Sequence, residues 1–491
     1  MTPRVLVVLF DGLRPDLVGP ATTPHLHRLQ QQGVVLARQR TVYPSETRVA
    51  LTTLVTGAQP GGHGIVGNGY LDRTFDAPRY IDTADDCAVA AHDEATGGAL
   101  VHAPSLGEVL AAHGRTMAVL ASNSTGATLL LNHKAQRLGH LTLSGHARHL
   151  ATSAQTLAAL EARLGPLPAA EAKGTPDLAA QKWLTSAFLD VVCPELRPDV
   201  AILSFSEPDF SSHYSGTAAR ETLRAIAFVD AQFGRVLDWW EAEGRSAGVQ
   251  LIAASDHGHV TAHARANVAE VVATAGLRCG SPGEPDLDAV LIPGQAGALY
   301  LREPSAEIVG RAVAAMMEAP WCGPLFTAPR TDTLGIAAGS LSRCLVFGEH
   351  ARAPDILFAY RADDRLDPFG LPGGTWSPSW PLGLGIHGGL HEKEMASVGL
   401  VAGSAFKSGV VSQTPSGIGD FAPTILSLLR IGQPKGMTGR VLHETLATAP
   451  IELPPVTKHA HETAAGAYRQ RLLHVSVGNA AYIDHGTAEA W

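Results

Sequence analysis

"ETLRAIAFVDAQFGRVLDWWEAEG", residues 221–244, is the clearest helix in the chain. Leu223, Ile226, Phe233, Leu237 and Trp240 recur at helical spacing, and Gly244 is placed to end the helix. The apolar run "DVAILSF" (199–205) precedes it and "VQLIAA" (249–254) follows it, both of strand length. Strand, helix, strand in this order predicts a βαβ unit, because parallel neighbours need a crossover connection and a helix supplies one. Similar runs occur at "VLVVLF" (5–10), "TMAVLA" (116–121) and "ASVGLVA" (396–402). The predicted fold class is therefore α/β, with a mostly parallel central sheet and helices on both faces.

A chain of 491 residues exceeds one ordinary domain, so a large α/β core with a smaller addition is expected. Composition changes at "GSPGEPD" and again at the Pro/Gly/Trp-rich "DPFGLPGGTWSPSWPLG". These turn-rich borders predict a cap at 276–380 inserted into a core formed by 1–275 and 381–450, with a C-terminal extension at 451–491. Ala- and Leu-rich helices are expected within 145–192, a helix around 306–318, and another at "DFAPTILSLLRI".

A net charge of -9 argues against a nucleic-acid polymer or an anionic membrane as partner. Five widely spaced cysteines, none in CxxC form, predict free thiols rather than a disulfide framework or a thiolate metal site. The first strand begins almost at once, without a signal-peptide pattern, and no apolar run approaches membrane-spanning length. A soluble, cytoplasmic protein is the expectation; oligomeric state leaves no mark in the sequence.

In parallel sheets, ligands gather where loops leave the carboxyl ends of strands. Asp11 follows the first strand; Asp209 follows "DVAILSF", with His213 one helical turn later; Asp256 and His257 follow "VQLIAA"; His387 lies in "GIHGGLHEKEM". Taken singly, each is an ordinary capping or loop residue. Taken together they combine carboxylates with imidazoles, a donor set that suits Zn²⁺, or Mn²⁺, better than Mg²⁺ or Ca²⁺. Two such metals can hold both the attacking and the leaving oxygen of a displacement at phosphorus. The stretch "TVYPSETRVALTTLVTG" (41–57) reads as a helix start with Ser45 as N-cap, and it brings Thr47 forward as a nucleophile.

Through "VVLFDGLRPD", "YPSETRVALTTLVTGAQPGGHGIVGN", "SEPDFSSH", "SDHGH", "HGG" and "DFAPTILSLL", the chain resembles the alkaline phosphatase superfamily, in its nucleotide pyrophosphatase/phosphodiesterase branch. The resemblance implies two zinc ions, one bound by Asp11, Thr47, Asp256 and His257, the other by Asp209, His213 and His387. It also implies a two-metal hydrolase of phosphate esters or nucleotides, working through a phospho-threonine on Thr47. Where the branch continues from the nucleophile with Phe-Pro-Asn, this chain has Arg48, Val49 and Ala50. Ala50 cannot donate to phosphate, and Arg48 is the candidate replacement. Alternatives are a phosphomonoesterase or phosphonoacetate hydrolase-like enzyme, then a metal-dependent phosphosugar mutase or a non-catalytic binding protein. His63 is expected to be structural, with Asn68 near the site at most, while His259 and His391 are candidates to orient metal ligands. No chemistry is assigned to "ASNSTGATLLLNH" (121–133).

Overall fold

A computed structural model describes residues 3–448 and 452–490. Its central sheet has eight strands. In spatial order they are Val410–Ser412, Val34–Leu36, Gly399–Ala402, Val249–Ala254, Arg4–Phe10, Val200–Phe205, Met117–Ala121 and Leu141–Ser144. Arg4–Phe10 lies at the centre and pairs in parallel with both Val200–Phe205 and Val249–Ala254. Those three strands are almost wholly buried, so their sequences read as continuous apolar runs rather than as alternation.

One strand departs from the parallel arrangement: Gly399–Ala402 runs antiparallel to both of its neighbours. The crossover helix spans Arg220–Trp239 and continues into a wider-pitched turn through Gly244. It packs Ile226, Val229, Phe233, Val236 and Leu237 onto one face of the sheet, together with Phe188 and Trp183 from the 178–196 helical segment. Helices Thr47–Thr56 and Phe421–Leu428 cover the other face, through Val49, Leu54, Ile425 and Leu426. Helices lie on both faces, as the sequence pattern predicts.

Residues 279–360 build a six-stranded sheet backed by the helix Ala306–Met317. The strands Val456–Ala465, Tyr468–Val477 and Ala480–Ala490 form an antiparallel sheet that docks on it. There Gln470 exchanges hydrogen bonds with the backbone of Leu325, and Tyr468 donates to the Gly323 carbonyl. The expected border at 450/451 lies outside the described residues. All five cysteines are free thiols, and no helix among the described residues is long and apolar enough to cross a membrane.

Candidate active site

The carboxyl ends of the three central strands supply most of the site. Asp11 directly follows Phe10, and Asp256 and His257 follow the strand ending at Ala254. Asp209 opens the short helix Asp209–Ser215, which carries His213 one turn on. His387 arrives on the loop after the strand Gly385–Ile386. Thr47 is the first residue of the buried helix Thr47–Thr56.

Contrary to expectation, Ser45 does not cap that helix; the flanking position belongs to Glu46, in extended conformation. The Ser45 hydroxyl donates to the Gly389 carbonyl at 2.8 Å and accepts from the Gly388 N–H at 3.1 Å. It therefore ties the His387 loop to the start of the helix, and the flanking Glu46 makes no side-chain cap hydrogen bond of its own. The first-turn N–H of Arg48 goes instead to Asn68 Oδ1 at 3.2 Å.

Six of the seven predicted ligands fall into two adjoining groups, with Thr47 at the first. Asp11, Asp256 and His257 form one, their ligand atoms within 4.8 Å of one another. His257 Nε2 is 3.4 Å from both Asp11 Oδ1 and Asp256 Oδ2, and Thr47 Oγ1 lies 3.1 Å from His257 Nε2 and 3.4 Å from Asp11 Oδ1. The second group joins Asp209, His213 and His387 with His259. His213 and His387 each place Nε2 at 3.2 Å from Asp209 Oδ1. The groups meet where the His257 and His387 rings stack, centroids 3.7 Å apart.

Burial, and then the Asp256 and Asp209 carboxylates, push the Asp11 carboxyl well above its ordinary range. Burial likewise pushes Asp256 up to about 6, and it holds His257 well below the usual imidazole range, with His387 adding to the effect. Asp209 goes the other way: burial alone would raise it, but His213, His259 and His387 together hold it well below the usual carboxylate range. Carboxylates crowded together out of water are unfavourable unless a positive charge joins them. Asp209 Oδ1 and Asp256 Oδ2 are buried without a hydrogen-bond partner.

The imidazoles are also oriented. A carbonyl can only accept, so a ring nitrogen facing one must carry the proton. His213 Nδ1 donates to Gly385 O at 2.9 Å, His257 Nδ1 to Gly258 O at 3.1 Å and His387 Nδ1 to Ser45 O at 2.9 Å. Each ring thereby turns its Nε2 into the site, as metal-binding histidines do. Both groups fit a divalent cation, and the carboxylate–imidazole donor set is the zinc or manganese type.

One contributor was not legible beforehand. Asn123, in the stretch assigned no chemistry, donates Nδ2 to Asp11 Oδ2 at 2.6 Å and is itself held by the Ser204 hydroxyl at 2.6 Å. Asn68 is pinned at the helix start: Oδ1 takes the Arg48 N–H, and its own N–H donates to Glu46. Arg48 is partly buried, and its Nε has no hydrogen-bond partner. His63 is buried between the Thr53 hydroxyl and the Ile65 N–H, a structural position. His391 caps the helix Glu392–Met395 and faces Asp364, outside both groups. Trp380, from the Pro/Trp-rich exit, sets its ring edge-on to His213 with centroids 4.8 Å apart.

Comparison with known proteins bears on the family and the fold. Across residues 5–332 the chain matches the family model described as type I phosphodiesterase / nucleotide pyrophosphatase. A mouse protein named bis(5'-adenosyl)-triphosphatase enpp4 is 36% identical over 70 residues, which is 14% of this chain and 15% of that protein. Human ectonucleotide pyrophosphatase/phosphodiesterase family member 5 is 39% identical over 69 residues, 14% of each chain. The chain thus matches only about a seventh of the length of these relatives. Murine ectonucleotide pyrophosphatase/phosphodiesterase 5 shares the fold: TM-score 0.60 and 17% identity, covering 90% of this chain and 100% of that one. An inactive variant of the same murine protein in complex with AMP superposes equally well, at TM-score 0.60 and 17% identity over 91% of this chain and 100% of that one. With more than half of its length matched by the family model, the chain belongs to the type I phosphodiesterase / nucleotide pyrophosphatase family.

Proposed function

We propose that the protein is a two-metal hydrolase of small phosphate esters, a phosphodiesterase or nucleotide pyrophosphatase, in which Thr47 is the nucleophile. The observation that carries this reading is the position of Thr47 Oγ1, at a helix start and within 3.4 Å of Asp11 and His257 in the first group. Asp11, Thr47, Asp256 and His257 would hold one zinc ion, and Asp209, His213 and His387 the other; manganese suits the same donors. When bound, such cations make an alcohol nucleophilic at neutral pH and neutralise charge on a phosphoryl group.

The chain's own residues supply the rest. Thr47 Oγ1 gives up its proton and bonds to phosphorus as the ester oxygen departs and takes up a proton; water then bonds to phosphorus, the Oγ1–phosphorus bond breaks, and a proton from that water restores the hydroxyl. Free N–H groups at the helix start, with the positive end of its dipole, face the non-bridging oxygens. Asn68 Oδ1 is occupied by the Arg48 N–H, so its Nδ2 is left to donate to the same phosphoryl group. Asn123 holds Asp11 in place for Thr47. The segment 276–380 acts as a cap on the core, and its turn at Gln295 and Ala296 abuts Gly388 beside His387.

Arg48 favours a second reading. A guanidinium next to the nucleophile, with Nε unpaired, would grip a further anionic oxygen, as a phosphomonoester or phosphonoacetate provides. Rates on bis-p-nitrophenyl phosphate, a nucleotide p-nitrophenyl ester, p-nitrophenyl phosphate and phosphonoacetate, with zinc added, separate the two. The first reading expects the diesters to be fastest. Faster turnover of the monoester or of phosphonoacetate replaces it with the second, and no turnover of any of the four refutes both.

A further inference from the structure

His259 lies two residues beyond His257 and was expected only to orient a ligand from outside. The structure gives it the same device as the three imidazoles above. Its Nδ1 donates to the Gly12 carbonyl at 3.0 Å, which leaves Nε2 as the nitrogen turned toward Asp209. Nε2 lies 3.0 Å from Asp209 Oδ1, against 3.2 Å for the corresponding atoms of His213 and His387. The three rings surround Asp209 evenly, with centroids 5.4 Å apart for His213–His259 and 5.1 Å apart for both His259–His387 and His213–His387.

In the neutral tautomer this Nε2 cannot donate to the carboxylate, and a cation held between the two atoms would satisfy both lone pairs. Both atoms are buried and without a hydrogen-bond partner. Local structure confirms that the ring has been given its place. Gly12 has φ +69°, and a Cβ there would fall 2.2 Å from His259 Cε1 and 2.7 Å from Nδ1, so only glycine leaves room for the ring. The buried Arg14 guanidinium donates to the His259 carbonyl at 3.1 Å and fixes its backbone.

We propose that His259 is a fourth protein ligand of the second metal, joining Asp209, His213 and His387. The assignment rests on the two-metal reading above. It makes the two sites chemically unequal, the first having two carboxylates and one imidazole, the second one carboxylate and three imidazoles. A nitrogen-rich set with a single carboxylate binds zinc or cobalt in preference to manganese or magnesium. The second site thus selects its metal more strictly than the first.

The test compares wild type, His259→Ala and His259→Gln. Each is titrated with zinc and with cobalt(II) against a competing chelator, and X-ray absorption counts the imidazoles around zinc. Wild type should take two equivalents with four imidazoles between them. Both variants should keep one tight equivalent, bind the second more weakly by on the order of 100-fold or more, and show three imidazoles. Variants that hold both metals at wild-type affinity, or an unchanged imidazole count in His259→Gln, overturn the assignment. Should neither variant fold, the wild-type count alone decides, four imidazoles supporting the proposal and three refuting it. Fewer than two equivalents in wild type would sink the two-metal reading itself, a different failure.

Discussion

Asn68 performs two tasks that substitution can separate. Its Oδ1 accepts the first-turn N–H of Arg48 at 3.2 Å, a partly buried neutral hydrogen bond that contributes about 1 kcal/mol to stability. Its Nδ2 is the side-chain donor proposed to meet the phosphoryl oxygens, where charge accumulates during transfer. Removing one such donor costs about 2.7–4 kcal/mol of barrier, or roughly 10²–10³ in kcat. Asn68→Ala removes both groups, so it should lose about 1 kcal/mol in urea unfolding and about 10²–10³ in kcat, with metal content unchanged. Asn68→Asp keeps the acceptor at the helix start, where a carboxylate is welcome, but presents a negative charge to an anionic substrate. It should match wild type in stability and lose at least as much activity as Asn68→Ala. The assay is steady-state hydrolysis of the best substrate of the panel, with metal analysis on the same samples. If Asn68→Ala stays within about fivefold of wild-type kcat/KM, the donor role is wrong. If Asn68→Asp loses stability but not activity, the division of labour is wrong.

Three further outcomes follow from the same structure. Thr47→Ala should abolish turnover, by about 10⁴-fold or more, while mass spectrometry still finds both metals; residual rates near wild type would remove Thr47 from the chemistry. Arg352 is buried against Asp72 at 2.9 Å and also donates to the Gly64 and Leu100 carbonyls, tying the 279–360 sheet region to the segment that carries Asn68. Arg352→Met leaves Asp72 buried without its guanidinium partner and should cost about 3–5 kcal/mol in urea unfolding; a loss under about 1 kcal/mol refutes this. Burial holds His63 down to about 3 in the folded protein, so below the unfolded value of 6.5 only the unfolded chain takes up the proton, and stability falls as pH falls from 6.5 toward about 3. A neutral His63→Gln has no such penalty, so the stability gap between it and wild type should narrow by about 2 kcal/mol between about pH 7 and about pH 5. A gap that does not change with pH contradicts this.

How far the sequence could be read follows from how each residue is buried. Strands flanked on both faces by helices must be apolar throughout, so the central strands announce themselves, and ligands at their carboxyl ends follow from the topology. Strand direction is another matter: Gly399–Ala402 is as apolar as its neighbours, and nothing in four residues marks it as antiparallel. The C-terminal sheet was not placed because its buried face includes Gln470 and His474, which interrupt the apolar alternation. Gln470 is buried because its amide pairs with Leu325 and Gly339, partners 145 and 131 residues away.

The same limit applies at the site. Ser45 before a helix is a good N-cap locally, but the Gly388–Gly389 loop, more than 340 residues on, captures its hydroxyl. Asn123 sits before a helix capped by Ser124 and looks like loop punctuation until Met117–Ala121 is seen two strands from Arg4–Phe10, which brings it to Asp11. His259 left a local trace, being a histidine two residues past a ligand, but the glycine that lets the chain close over its ring lies 247 residues earlier in sequence.

The central claim is that phosphorus passes through Thr47. It is tested most directly by the stereochemistry of a substrate made chiral at phosphorus with oxygen isotopes and sulfur. Transfer to Thr47 and then to water involves two in-line displacements, each inverting the centre, so the account predicts net retention of configuration. Net inversion would mean that water attacks the ester in one step, and it would contradict the account.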